Sequence, residues 1–157
     1  MPGGKIVVYE GLMKLVSSDD ELAVVIGHEV AHAVARHSNE RISQEMLAQY
    51  GAQILSQSLS QKSAAIQNMA NKVYGIGAQY GVVLPFSRKH ESEADYMGLI
   101  FMTMAGYNPD VAINFWKKMS AGGGAQVPEI MSTHPSDARR ISDIQKALPE
   151  IKAKYKK

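Results

Sequence analysis

Along "SDDELAVVIGHEVAHAVARH", Ser18 to His37, apolar side chains cover nearly every side of a helical repeat. That distribution predicts a helix buried within a core, because a helix lying on a core keeps a polar back. Ser18 and Glu21 stand at capping-box spacing and acids fill the first turn. Arg36 and His37 suit the negative C-terminal end, His37 as a capping cation, so the helix is predicted from Asp19 to about His37. Upstream, "KIVVYEGL" is β-branched and aromatic after a Pro-Gly-Gly turn, which predicts one short strand from Lys5 to Tyr9. From Ile42 to Tyr80 the pattern changes. Met46, Tyr50 and Ile54, then Ile66, Met69 and Val73, recur at helical spacing among Gln and Ser. The polar "SQKS" at Ser60 to Ser63 predicts a break between two amphipathic helices.

Beyond "GVVLPFS" a further helix is predicted from about Arg88 to Ala105, ending at "AGYNPD". There Asn108 can cap and Pro109 can open the next helix, Asp110 to Met119. "AGGGAQVP" reads as a flexible loop, and Ser136 as the cap of a last helix ending near Pro149. No internal repeat is visible. These elements predict an α+β fold, mainly helical, with a small N-terminal β element and a single domain over residues 1–157.

Composition narrows the classes further. A chain of 157 residues holds one core, and 45% hydrophobic with 20% charged residues is globular. A net charge of +2 gives no case for nucleic acid. With no cysteine, disulfides and thiolate metal sites are excluded. No apolar run reaches the roughly 20 residues that cross a bilayer, and the first ten residues carry no visible signal-peptide pattern.

Chemistry enters with His28 and His32. Four residues apart on a helix, they lie about 40° apart around the axis and one turn apart along it, so their imidazoles can converge. Glu29 flanks the same face. Burying two imidazoles and a carboxylate without partners costs several kcal/mol, roughly. A divalent cation removes that penalty, and H-E-x-x-H on a helix is a known zinc peptidase signature. Five histidines and nine glutamates would produce the pattern by chance in roughly one such sequence per hundred. The metal reading is therefore preferred to a surface pair. A catalytic zinc (Zn2+) needs a third protein ligand. Ala35 and Ser38 stand where one known solution places a glycine and a third histidine. "SRKHESEADYMG" offers acids instead: Glu91 and Asp95 share a face, Glu91 as third ligand and Asp95 accepting a ligand histidine's other N–H. Glu93 is the fallback ligand.

At this point the chain resembles a known family. "PGGKIVVYEGL", "HEVAH", "SRKHESEAD" and "STHPSDARRI" occur in the order seen in the HtpX and BepA-like zinc endopeptidases, distant relatives of the CAAX prenyl and Oma proteases. The resemblance implies a minimal gluzincin catalytic domain. It matches His28, His32 and Glu91 to metal ligands, Glu29 to the general base and Asp95 to the ligand's partner. It also matches His134 to a histidine near the metal, either oxyanion donor or inhibitory fourth ligand, and Arg140 to the arginine that follows it. The implied activity is hydrolysis of peptide bonds in unfolded or membrane-associated proteins for quality control. The polypeptide substrate is expected as an extended strand on the edge from Ile6 to Tyr9. The implied setting is the bacterial periplasm or a membrane, with membrane association through segments outside this chain.

Two rivals belong to other classes. One is a zinc-binding chaperone-like or regulatory module without turnover, disfavoured because Glu29 would have no structural duty in it. The other holds no metal and uses the Gln-rich helices and the basic "KAKYKK" tail as an interaction surface.

Overall fold

A computed structural model describes Ile6, Val8 and residues 10–121 and 138–156, and among these every regular element is helical. The chain divides into two compact units: Met1–Ala35 with Glu91–Lys157, and Arg36–His90.

The first unit opens with a single turn, α1 (Glu10–Met13), whose Leu12 enters the core. The following helix, α2 (Asp19–Val34), begins where the sequence places it. The Ser18 hydroxyl accepts from the Glu21 N–H at 3.2 Å, while the Glu21 carboxylate reaches back to the Ser17 N–H at 2.7 Å. Lys118 completes the corner at 2.7 Å from that carboxylate. Val24, Val25 and Ala31 of α2 are buried, as an apolar-sided helix requires.

Its end differs from expectation. The helix stops at Val34, and Arg36 turns the chain through the left-handed region at φ 57°. His37 then starts the next helix, so it is not the C-terminal cation of α2.

The second unit is a helical hairpin, α3 (His37–Ser58) and α4 (Ala64–Ala78), with the break at Leu59–Ser63 close to the predicted one. Gln67 closes that break by donating to the Lys62 carbonyl at 2.9 Å. A π-helical segment, Gln79–Val83, leads into α5 (Leu84–Met104), which starts earlier than the Arg88 expected. Pro85 directly follows the π segment, whose last bond runs from the Leu84 N–H to the Gln79 carbonyl.

Downstream, Gly106 takes φ 91° and ends α5, and the Asn108 side chain accepts from the Asp110 N–H at 3.1 Å ahead of α6 (Val111–Ala121). The last helix, α7 (Ala138–Tyr155), runs through Pro149, past its expected end. Ile144, Leu148 and Ile151 form one buried stripe across the proline, and their burial outweighs one lost backbone hydrogen bond. They meet Phe115, Trp116 and Met119 of α6 and Leu99 and Met102 of α5 in the core of the first unit.

The expected N-terminal β element is corrected by this architecture. No strand occurs among the described residues: Ile6 and Val8 belong to none, while Lys5, Val7 and Tyr9 lie outside them. A β-prone run needs a neighbour to supply ladder hydrogen bonds, and every described element is a helix with its backbone groups already used. The fold class is therefore mainly helical without the β element, and an edge from Ile6 to Tyr9 for substrate pairing has no support. Ser136, the expected cap of the last helix, also lies outside the described residues.

Candidate metal centre

Two helices of the first unit build the site, and a third braces it. His28 and His32 project from consecutive turns of α2, with ring centroids 4.6 Å apart. Facing them on α5 are Glu91 and Asp95, one turn apart. The helices can approach this closely because Gly27 and Gly98 meet backbone to backbone. A Cβ on Gly98 would stand 2.7 Å from the His28 nitrogen, and one on Gly27 would stand 2.7 Å from the Gly98 carbonyl oxygen. Neither glycine was singled out from the sequence, although each lies within three residues of a site residue.

The hydrogen bonds select a tautomer. His28 is buried, and its Nδ1 lies 2.9 Å from Asp95 Oδ1. With the proton on Nδ1, the neutral ring presents its Nε2 lone pair on the opposite side. That lone pair faces His32 Nε2 at 3.0 Å and Glu91 Oε2 at 3.3 Å, and Glu91 Oε1 is 3.3 Å from His32 Nε2. Among the described residues, this trio has one ligand atom each within 4.8 Å of the others. Three electron-pair donors turned toward one point repel unless a proton or a cation lies between them. Their separations are close to the roughly 3.3 Å edge of a tetrahedron with ligands about 2.0–2.1 Å from its centre. The donor set therefore fits a divalent metal.

Arg140 on α7 supplies the counter-charge. It donates to Asp95 from Nε and Nη2, both at 2.7 Å, and its Nη1 lies 3.0 Å from Glu91 Oε2. Its guanidinium stacks over Trp116 with the carbon 4.5 Å from the ring centroid, and the edge of His28 meets the same indole. Trp116 is the other supporting residue that periodicity did not reveal, since it reads as ordinary core. Burial pushes the Asp95 carboxyl up, but hydrogen bonds and charge from Arg140 and His28 outweigh it and hold the group below the usual range. Burial likewise pulls His28 down, yet Asp95 and Glu91 overcome it, and the ring is pushed up to about 9.

The remaining expectations sort by position. Glu29 follows His28 on α2 and is half-buried beside the site. Glu93, the fallback ligand, is exposed and outside the convergent trio. His134 lies outside the described residues. His37 is buried in the second unit, stacked on His90 with centroids 4.2 Å apart, and His90 Nε2 is 2.6 Å from Glu40.

The sequence matches Peptidase family M48 over residues 1–148. It is similar to the mitochondrial metalloendopeptidase OMA1 of Schizosaccharomyces pombe, 38% identical over 156 residues, which are 98% of this chain and 44% of that protein. The Arabidopsis thaliana protein of that name is 42% identical over 140 residues, 89% of this chain and 27% of its own. The beta-barrel assembly-enhancing protease of Escherichia coli is 24% identical over 163 residues, 96% of this chain and 32% of its own. The chain thus spans less than half the length of these relatives. No solved structure matches it.

Proposed function

The chain belongs to peptidase family M48, and from that premise we propose that residues 1–157 form a single zinc-dependent endopeptidase domain acting on unfolded or membrane-associated polypeptides in protein quality control. The observation that carries this reading is the convergence of His28, His32 and Glu91 within 4.8 Å beside the half-buried Glu29. The relatives' names, one for mitochondria and one for β-barrel assembly, support a setting at a membrane or in the bacterial periplasm.

In this proposal His28, His32 and Glu91 hold the zinc. When bound, the metal supplies a Lewis acid that acidifies water and polarises a carbonyl. Glu29 takes the proton of the attacking water and returns it to the leaving amine. Asp95 fixes the His28 tautomer, leaving the Nε2 lone pair toward His32 and Glu91, where it would hold the metal. Arg140 is a positioning residue, holding Asp95 and Glu91 in register. His134 keeps the role that the resemblance implies, a group near the metal that donates to the oxyanion or closes the resting site.

The test is zinc content together with cleavage of an unfolded substrate such as casein. His32→Ala should lose both zinc and turnover, whereas Glu29→Gln should keep about one zinc per chain and lose nearly all turnover. Parental turnover by Glu29→Gln would overturn the proposed mechanism, and protein that retains no added zinc would overturn the metal assignment.

A further inference from the structure

The second unit leaves a run of large apolar side chains exposed on α4. Two polar contacts join α3 and α4: Tyr74 donates to the Ala48 carbonyl at 3.1 Å, and Ser56 donates to Asn71 at 3.2 Å. The Tyr74 hydroxyl also lies against Gly51, where an added Cβ would have to displace it. Meanwhile Ile66, Met69, Val73, Ile76 and Tyr80 follow a strict three-four spacing from α4 into the π segment, and all are 51–71% exposed. By helical geometry that stripe lies about 150° around from the side that carries Asn71 and Tyr74. No residue of α4 is buried. A helix with a continuous exposed apolar stripe and a polar opposite side has the amphipathic form that settles at a lipid surface.

Charge identifies the surface that would cover the stripe. From Met46 to His90 the chain has no acid, while Lys62, Lys72, Arg88 and Lys89 are all exposed. A second copy of α4 would bring lysine to lysine with no acid to meet it, whereas paired helices normally place opposite charges beside their apolar seam. Lys72 flanks the stripe at about 80° from its centre, within reach of a headgroup while its stem covers apolar surface. No described helix is long and apolar enough to cross a membrane.

We propose that α4 is an interfacial helix, binding the surface of an anionic lipid bilayer through the stripe Ile66, Met69, Val73, Ile76 and Tyr80, with Lys62 and Lys72 facing the headgroups. The helix lies in the plane of the interface, and its attraction combines apolar burial with electrostatics. This goes beyond the peptidase reading and does not depend on it.

The experiment is flotation of the 157-residue protein with phosphatidylcholine vesicles, with and without about 30 mol % phosphatidylglycerol. The protein should float with the anionic vesicles and be released by about 0.5 M salt. Met69→Glu with Val73→Glu should weaken binding at least about tenfold, and Lys72→Glu should abolish the preference for anionic lipid. Because these side chains are exposed, the variants should keep parental helicity by circular dichroism. If the double variant fails to fold, hydrogen exchange of the parent decides, with protection by vesicles expected across residues 64–83. The proposal is overturned by absence of flotation, by flotation that the double variant leaves unchanged, or by vesicles that protect no part of that segment. Dimerisation that the double variant abolishes, without vesicle binding, would overturn it in favour of a second copy as the occupant.

Discussion

Two buried carboxylates, Glu91 and Asp95, share one guanidinium, with Arg140 donating twice to Asp95 at 2.7 Å and standing 3.0 Å from Glu91. Removing that cation leaves buried charge uncompensated, a loss of about 3–5 kcal/mol. Arg140→Ala should therefore lower the denaturation midpoint by a large step, and Arg140→Lys should recover only part, since an ammonium cannot serve both acids in a fork. An Arg140→Ala protein as stable as the parent in urea would contradict this balance. The same cluster predicts a pH effect in chelated protein. His28 has its folded pKa raised to about 9 from the ordinary 6.5. The stability it contributes is thus fully present below pH 6.5 and is lost as pH rises through 9. The melting temperature of zinc-stripped protein should fall across that window, and a profile flat or rising from pH 6.5 to 9 would contradict it. Zinc-loaded protein should lack this slope, because the metal takes the place of the titrating proton.

At the scale of elements, the approach of α2 and α5 through Gly27 and Gly98 brings Glu91 to His28 and His32. A Cβ at Gly98 would lie 2.7 Å from the His28 nitrogen and 2.8 Å from the Gly27 carbonyl carbon, both rigid backbone. Gly98→Ala must push the helices apart, costing about 1–3 kcal/mol as overpacking does, and should also weaken zinc affinity. Gly75 provides the contrast, a glycine within α4 with nothing within 4 Å of an added Cβ. Gly75→Ala should stabilise by about 0.5–1 kcal/mol through helix propensity. Urea melts of the two variants should shift in opposite directions, and a common direction would show that spacing at Gly98 is not what matters. The i, i+4 histidines and the Ser18 cap were legible in the sequence because they depend only on helix geometry. The shared glycine contact was not, since it joins residues 71 apart in sequence.

For the whole molecule, apolar burial is uneven. The first unit packs Leu99, Phe115, Trp116 and Ile144 into one core, while α3 buries only His37 and α4 buries nothing. Amides held by helices with little buried area open more readily. Without lipid, hydrogen exchange in α4 should run at least about tenfold faster than in α2, α5 and α7. Equal protection in all four helices, measured by mass spectrometry, would contradict it.

What the sequence by itself determined was local: the buried helix that presents His28, Glu29 and His32, the break near Ser60, and the stop at "AGYNPD". Each follows from periodicity, capping or a turn within a few residues, where chain geometry leaves little choice. Tertiary structure decided what spacing left open. It placed Glu91 with the histidines and left Glu93 exposed, because only one side of α5 faces α2. It set Arg140 against two acids and the Trp116 face. It moved His37 from the end of one helix to the start of the next, through a left-handed turn at Arg36 that no periodicity announces. It carried α7 through Pro149, where the buried stripe outweighed local preference. The β-prone run near Ile6 shows the same division: β propensity is local, but a strand exists only where another strand offers its hydrogen bonds, and the described chain offers none.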